Sequence, residues 1–406
     1  MTEAAWAFIL VGGIIFSGFM GTLFFERTKV PDVLALMAIG ILLGPVSGLV
    51  QPEKLQHMVE YVGSLALLVI LFEGGMDLDL DKLLSEFGSA ALLVLTSFFL
   101  TTGCITSYLH LVLDWSWSHG LLLGSILGCT SAAIVIPIMG RLTVSEEIKT
   151  TLSVESALGD VLAVVLTISL IDAINIGQSD PTGPVKAVVA SFSIAIVAGG
   201  LVGLVWMKIL DLMRGRKLVY MLTLAAILVT FGSVRILGGS GSIAVLVVGV
   251  LLGNSHAFTR FLKIKGPLPV EQSIRFLHEE VTFFIRTFFF VYLGMLFTFK
   301  DFDFDFVMLC VAMLLIIILL RIICTEITVR VYPEKKQGRF MIMLMMPRGL
   351  ASAVLATLPA AAGVAGTELF VSITFGVIIV TNILLTVGMW VYPKEIMTDV
   401  TADHLQ

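Results

Sequence analysis

The stretch LALMAIGILLGP, residues 34–45, returns in outline as IAVLVVGVLLGN at residues 243–254. Gly40 aligns with Gly249, and Gly44 with Gly253. What this likeness means depends on the direction in which each copy runs, so the chain must first be divided into spans. Of 406 residues, 58% are hydrophobic and only 14% charged. Mean hydropathy is +1.03. A soluble domain carries roughly 25% charged residues, so this chain cannot cover a water-facing surface and is an integral membrane protein. The net charge of -5 comes with no basic patch, which argues against nucleic acid as a partner.

A helix needs about 20 apolar residues to cross a bilayer. Cutting at clusters of charge, Pro and Gly gives thirteen spans. They lie near 4–25, 31–50, 58–76, 88–113, 119–139, 150–174, 185–208, 219–238, 241–256, 276–299, 305–329, 338–363 and 367–392. The first reads as a span and not a signal peptide. No Lys or Arg precedes it, and about 22 apolar residues is long for a signal core. With the N-terminus outside, 18 Lys and Arg fall in inner loops and the tail, against Lys54, Lys186 and Lys300 outside. That bias predicts a multi-pass protein of the cell membrane with a cytoplasmic C-terminus. The remaining four arginines, Arg235, Arg286, Arg321 and Arg348, lie within spans. Arg235 is close enough to the outer end of its span to snorkel.

The two glycine-bearing copies fall in the second and ninth spans. Seven is an odd offset, so they cross in opposite directions, as in the inverted repeats of many secondary transporters. Glycine-rich apolar helices also look alike by chance. The same offset, however, pairs GCTSAAIVIP in the fifth span (128–137) with MPRGLASAVL in the twelfth (346–355). Both combine Gly, Pro and small hydroxyl residues in mid-span. Such sequences break helices, which a membrane tolerates only inside protein or beside water. The fold class expected is therefore all-α and polytopic, with two broken helices crossing near the midplane.

ESALGDVLAV, residues 155–164, places two carboxylates in the sixth span. Ser156 and Asp160 are four residues apart and share a helix face. Glu155 lies about 140° from Asp160 around the helix, so the two serve different partners. Asp160 and Ser156 are expected to face the break at Thr130 and Ser131. Glu155 is expected to pair with an arginine, Arg348 first. Charge at the bilayer centre costs about 2.5–3.5 kcal/mol on insertion scales. A buried carboxylate without a partner holds a proton or a cation instead. Competition for Asp160 couples the two ions without further machinery.

TSAA (130–133), ESALGD (155–160) and PRGLASAVLA (347–356), with LFEGGMDLDLDKL (71–83), resemble the monovalent cation/proton antiporter superfamily, especially its NhaP-like branch. The resemblance covers essentially the whole membrane region. It implies a thirteen-helix fold and a homodimer. Core helices over about 88–174 and 305–392 would slide, elevator-fashion, against dimer-domain helices over about 1–76 and 219–299. A linker helix would run over about 185–208, with a short cytoplasmic tail at 393–406. The essential aspartate of the family falls on Asp160, its Glu–Ser pair on Glu155 and Ser156, its threonine on Thr130 and its arginine on Arg348. Asp160, Ser156 and Thr130 would ligate the monovalent cation, with Arg348 compensating charge; Arg286, read from its place in the tenth span, is expected to help balance the core or to anchor the dimer domain to it.

Two departures stand out. Gly159 replaces the usual Asn, and Thr130-Ser131-Ala132 replaces Thr-Asp-Pro. One fewer acid suits a larger, weakly held cation, so K+ stands beside Na+. A single aspartate also resembles the electroneutral branch, one cation for one proton. The resemblance implies Na+ or K+ and H+ as substrates, with lipid as the surrounding partner and no cofactor called for. No Walker motif, no Cys/His metal set and no nucleophile–His–acid arrangement is present, so an enzyme is not expected. Other readings are a Na+-coupled organic anion symporter on a similar scaffold, a passive channel or a sensor. Arg321 and Glu326, five apart, are expected to form an ion-pair network. Glu73 reads as structural. His256, His278, Glu279 and Glu280 read as a solvated inner rim. Cys104, Cys129, Cys310 and Cys324 read as free thiols that pack.

Overall fold

The computed structural model describes residues 2–28, 30–48, 65–76, 80–142, 144–176, 183–214, 216, 218–259, 270–297 and 303–391. The described residues are helical or in short connections, with no strand among them. The 393–406 tail, Lys54, Lys300 and the side chains of His278 and Glu279 lie outside them.

Helix α1 runs Thr2–Thr28, and α2 runs Asp32–Ile41. Pro45 lacks the N–H that an α-turn needs, and α2 ends in a π turn over Leu42–Val46. Helix α3 covers Leu65–Met76 and α4 Leu80–Leu113. The fifth predicted span is two helices, α5 (Trp117–Leu127) and α6 (Ala132–Arg141). Then come α7 (Glu146–Ile176), α8 (Gly183–Leu212), α9 (Val219–Ile236), α10 (Gly241–Gly253) and the short α11 (Ser255–Thr259). Helix α12 runs Val270–Met295 and α13 Phe304–Val331. The twelfth predicted span is again two helices, α14 (Arg339–Leu344) and α15 (Leu350–Ala361). Helix α16 runs Leu369–Val391.

Several starts are capped in the way the sequence dictates. The Ser116 hydroxyl accepts from His119 N at 3.2 Å, and Asp303 Oδ1 accepts from Phe306 N at 2.9 Å, each satisfying an orphan first-turn donor. Among the described residues, seven helical stretches are long and apolar enough to cross a membrane. They differ in what surrounds them. In the apolar 18-residue part of each stretch, 72% of the residues are buried in the broken Trp117–Gly140 and 17% in Val189–Leu212. The broken span therefore runs through the protein interior, and α8 turns Val197, Leu201 and Val205 outward as an apolar, lipid-type surface.

Gly40, Gly44, Gly249 and Gly253 explain how the helices approach one another. A Cβ on Gly40 would lie 2.8 Å from Gly294 Cα, and one on Gly44 would lie 2.9 Å from Met295 Cα, both in α12. A Cβ on Gly249 would lie 3.2 Å from Gly75 Cα, and one on Gly253 would lie 2.7 Å from Met76 Cα, both in α3. Backbones this close leave no room for a side chain, which is the role of small residues between membrane helices. The two like-sequence helices thus make the same contact, α2 with α12 and α10 with α3.

Candidate ion-binding site at the helix crossing

The two breaks meet. Between α5 and α6, residues 128–131 leave the helix; between α14 and α15, residues 345–349 do so. Ser131 N donates to Pro347 O at 2.9 Å. A Cβ on Gly349 would sit 2.7 Å from Ser131 Cβ, so glycine is what lets the two extended segments cross. Each break exposes helix ends: unpaired N–H groups and a partial positive charge at α6 and α15, unpaired carbonyls at α5.

Asp160, on α7, meets the α6 end. Its Oδ2 accepts from Ala132 N, the first helical N–H of α6, at 3.1 Å. Its Oδ1 is closed off from solvent and accepts from no N–H or O–H of the protein, the weak S–H donor of Cys129 being the other side-chain neighbour of the carboxylate. The Cys129 thiol lies beside the carboxylate. The acid is thus held by one oxygen and free to engage an ion with the other.

Glu155 is 1% exposed. It does not pair with Arg348. Arg321, on α13, grips it with two bonds, Nη1 to Oε1 at 2.8 Å and Nη2 to Oε2 at 3.2 Å. Arg321 Nε also donates to Ile342 O at 2.8 Å. The Thr130 hydroxyl donates to Glu155 Oε1 at 3.2 Å. Arg348 instead closes the end of α5. Its Nε and Nη2 donate to Leu127 O at 3.0 and 2.8 Å, and Nη1 donates to Met346 O at 2.7 Å. The reason is physical: breaking α5 in the interior strands its last carbonyls, and a guanidinium fork satisfies them while meeting the negative helix end. Arg321 and Glu326 each join an ion pair, as expected, but not with one another. Residues five apart point about 140° away from each other, and Glu326 pairs with Arg339 instead.

Ser156 is fully buried, but its hydroxyl donates back to Ser153 O at 3.1 Å. Its lone pairs, like those of Thr130, stay available to a cation. Ser131 is 2% exposed at the start of α6; its carbonyl accepts from Ile134 N and Val135 N. The second break has a matching support on α16. Thr381 Oγ1 accepts from Arg348 N at 3.2 Å, and Asn382 Nδ2 donates to Arg348 O at 2.9 Å.

Arg286 does not compensate this site. It pairs with Asp32 of α2 at 2.9 Å, within the α2–α12 contact. Glu73 is half-buried in α3 and within electrostatic range of Tyr220. Arg235, His256 and Glu280 are exposed. All four cysteines are free thiols. Among the described residues no group of three or more His, Cys, Asp and Glu could hold a metal.

The sequence profile described as sodium/hydrogen exchanger, transmembrane, matches residues 14–391. The chain is 26% identical over 363 residues to the K(+)/H(+) antiporter NhaP2 of Shewanella sp. (strain MR-4), covering 88% of this chain and 61% of that protein. It is 28% identical over 413 residues to the K(+)/H(+) antiporter NhaP of Alkalimonas amylolytica, covering 97% of this chain and 69% of that protein. The chain thus spans about three-fifths of the length of the NhaP2 relatives it matches. The fold is similar to that of the sodium proton antiporter MjNhaP1 from Methanocaldococcus jannaschii at pH 8, with a TM-score of 0.78 and 22% identity, covering 95% of this chain and 98% of that one.

Proposed function

The chain belongs to the sodium/hydrogen exchanger transmembrane family, transporters and not enzymes, and from that premise we propose that it exchanges protons for Na+ or K+ across the cell membrane, with both ions competing for Asp160. The observation that carries the reading is the Asp160 carboxylate, tethered to the α6 end by Oδ2 and leaving Oδ1 buried with no N–H or O–H donor. Ser156, one turn before Asp160 on α7, and Thr130, whose hydroxyl Glu155 holds, would complete the shell of the cation.

Charge counting favours one-for-one exchange. At the crossing, the two acids Glu155 and ionised Asp160 equal in number the two guanidiniums Arg321 and Arg348, of which Arg321 pairs directly with Glu155 and Arg348 bonds backbone carbonyls. Adding one proton or one alkali cation gives the same net charge, so neither loaded state is favoured by the membrane potential. The thirteen-span count, inverted repeat and core-plus-dimer division stand as part of this proposal. They draw support from the paired breaks and from the matching α2–α12 and α10–α3 glycine contacts. An elevator-type cycle, a homodimer, an outer N-terminus and an inner C-terminus complete it. Relatives named for K+ exchange, together with the reduced acid count of this site, favour K+ beside Na+.

The test is purified protein in vesicles carrying an imposed pH gradient. Addition of Na+ or K+ dissipates the gradient, and Asp160→Asn stops it. Exchange by Asp160→Asn at the wild-type rate would overturn the assignment. Uptake driven only by an organic anion would point to symport.

A further inference from the structure

One wall of the crossing is not used by the site just described. Cys129, 2% exposed, occupies the break between α5 and α6 beside Asp160. Its Sγ lies 3.5 Å from the hydroxyl of Ser352, itself 1% exposed in the first turn of α15. Gly159 of α7 faces the same residue: a Cβ there would lie 3.6 Å from Cys129 Cβ. The thiol is thus packed between the carboxylate, the second half-helix and the flat side of α7. We propose that Cys129 and Ser352 form the far wall of the Asp160 ion site and set its selectivity among monovalent cations, the thiol holding back the smaller, harder ions.

Ligand chemistry gives the reason, on the premise of the antiport reading above. Asp160 Oδ1 is buried and accepts from no N–H or O–H of the protein, so an ion that reaches the carboxylate must share or displace its weak thiol contact. Beside it stands sulfur. A neutral thiol is a soft, weak donor, poor for Li+ and Na+, which need close hard oxygens to replace tightly bound water. K+ and Rb+ lose less on dehydration and tolerate such a neighbour. Ser352, one step behind the sulfur, supplies the oxygen that limits the penalty.

Exchange by vesicle-reconstituted protein is measured with Li+, Na+, K+ and Rb+, comparing wild type with Cys129→Ser and Ser352→Ala. Cys129→Ser should lower the KM for Li+ and Na+ relative to K+ by about fivefold, equivalent to ~1 kcal/mol. Ser352→Ala should move the ratio the other way. An unchanged KM order with all rates lowered together would mean that both residues merely pack, and would overturn the proposal while leaving antiport intact. Undiminished exchange by Asp160→Asn in the same vesicles would instead sink the antiport reading, and this inference with it. Cation-dependent thermal stabilisation of the purified proteins gives the same order without transport: Cys129→Ser should gain most from Na+ and Li+, and an unaltered order would count against the wall.

Discussion

At the scale of the residue, the interior of this protein is governed by where each charge finds its partner. Arg321 and Glu155 are 4% and 1% exposed and joined by two hydrogen bonds. Removing one side of such a pair leaves the other charge stranded, typically at about 3–5 kcal/mol. Arg321→Met should therefore lower the melting temperature of the purified protein sharply, and adding Glu155→Met should recover much of the loss. A melt unchanged by Arg321→Met would show that the pair carries no such strain. Arg348→Lys keeps the charge but loses the fork that spans Leu127 O and Met346 O. It should reduce exchange and stability together, and a fully active, equally stable lysine variant would contradict the capping role. Asp160 and Glu155 were legible as a polar pair on different helix faces. The identity of the arginine beside Glu155 was not, because that contact joins residues 166 positions apart. Arg321 and Glu326 lie about 140° apart around α13, so each takes a separate partner, a consequence of helix geometry that the five-residue spacing alone had hidden.

Among elements, hydropathy and helix-breaking residues made most of the plan readable. The paired interruptions could be anticipated because Gly, Pro and hydroxyl residues cluster at 128–137 and 346–355. The π turn at Leu42–Val46 and the short α11 were not anticipated, since local hydrogen-bond slippage leaves hydropathy unchanged. The glycine contacts supply a test. Gly249→Val places methyl groups against the α3 backbone, whereas a Cβ added to Gly200 of α8 would meet no atom within 4 Å. Overpacking typically costs about 1–3 kcal/mol. Gly249→Val should therefore reduce the yield of monodisperse protein and its melting temperature, and Gly200→Val should leave both near wild type. Equal behaviour of the two would mean that the close approach contributes nothing.

For the whole molecule, one shared carboxylate fixes how transport responds to pH and voltage. In the acid range protons occupy the site first, so the apparent KM for cation should rise about tenfold for each pH unit of acidification, with the maximal rate at saturating cation retained. In the alkaline range the proton-loaded form becomes scarce and turnover should fall, giving a bell-shaped profile. A KM independent of pH would exclude competition. Changing the membrane potential should leave unaltered the ion gradients at which net exchange stops, and a balance point that shifted with voltage would exclude one-for-one exchange. The α2–α12 contact bears on how the protein is made. Gly40 and Gly294 are about 250 residues apart in the chain, and ribosomes add roughly 5–20 residues per second. The groove on α2 therefore waits some tens of seconds for the helix that fills it, a delay during which the insertion machinery must shelter a half-built protein.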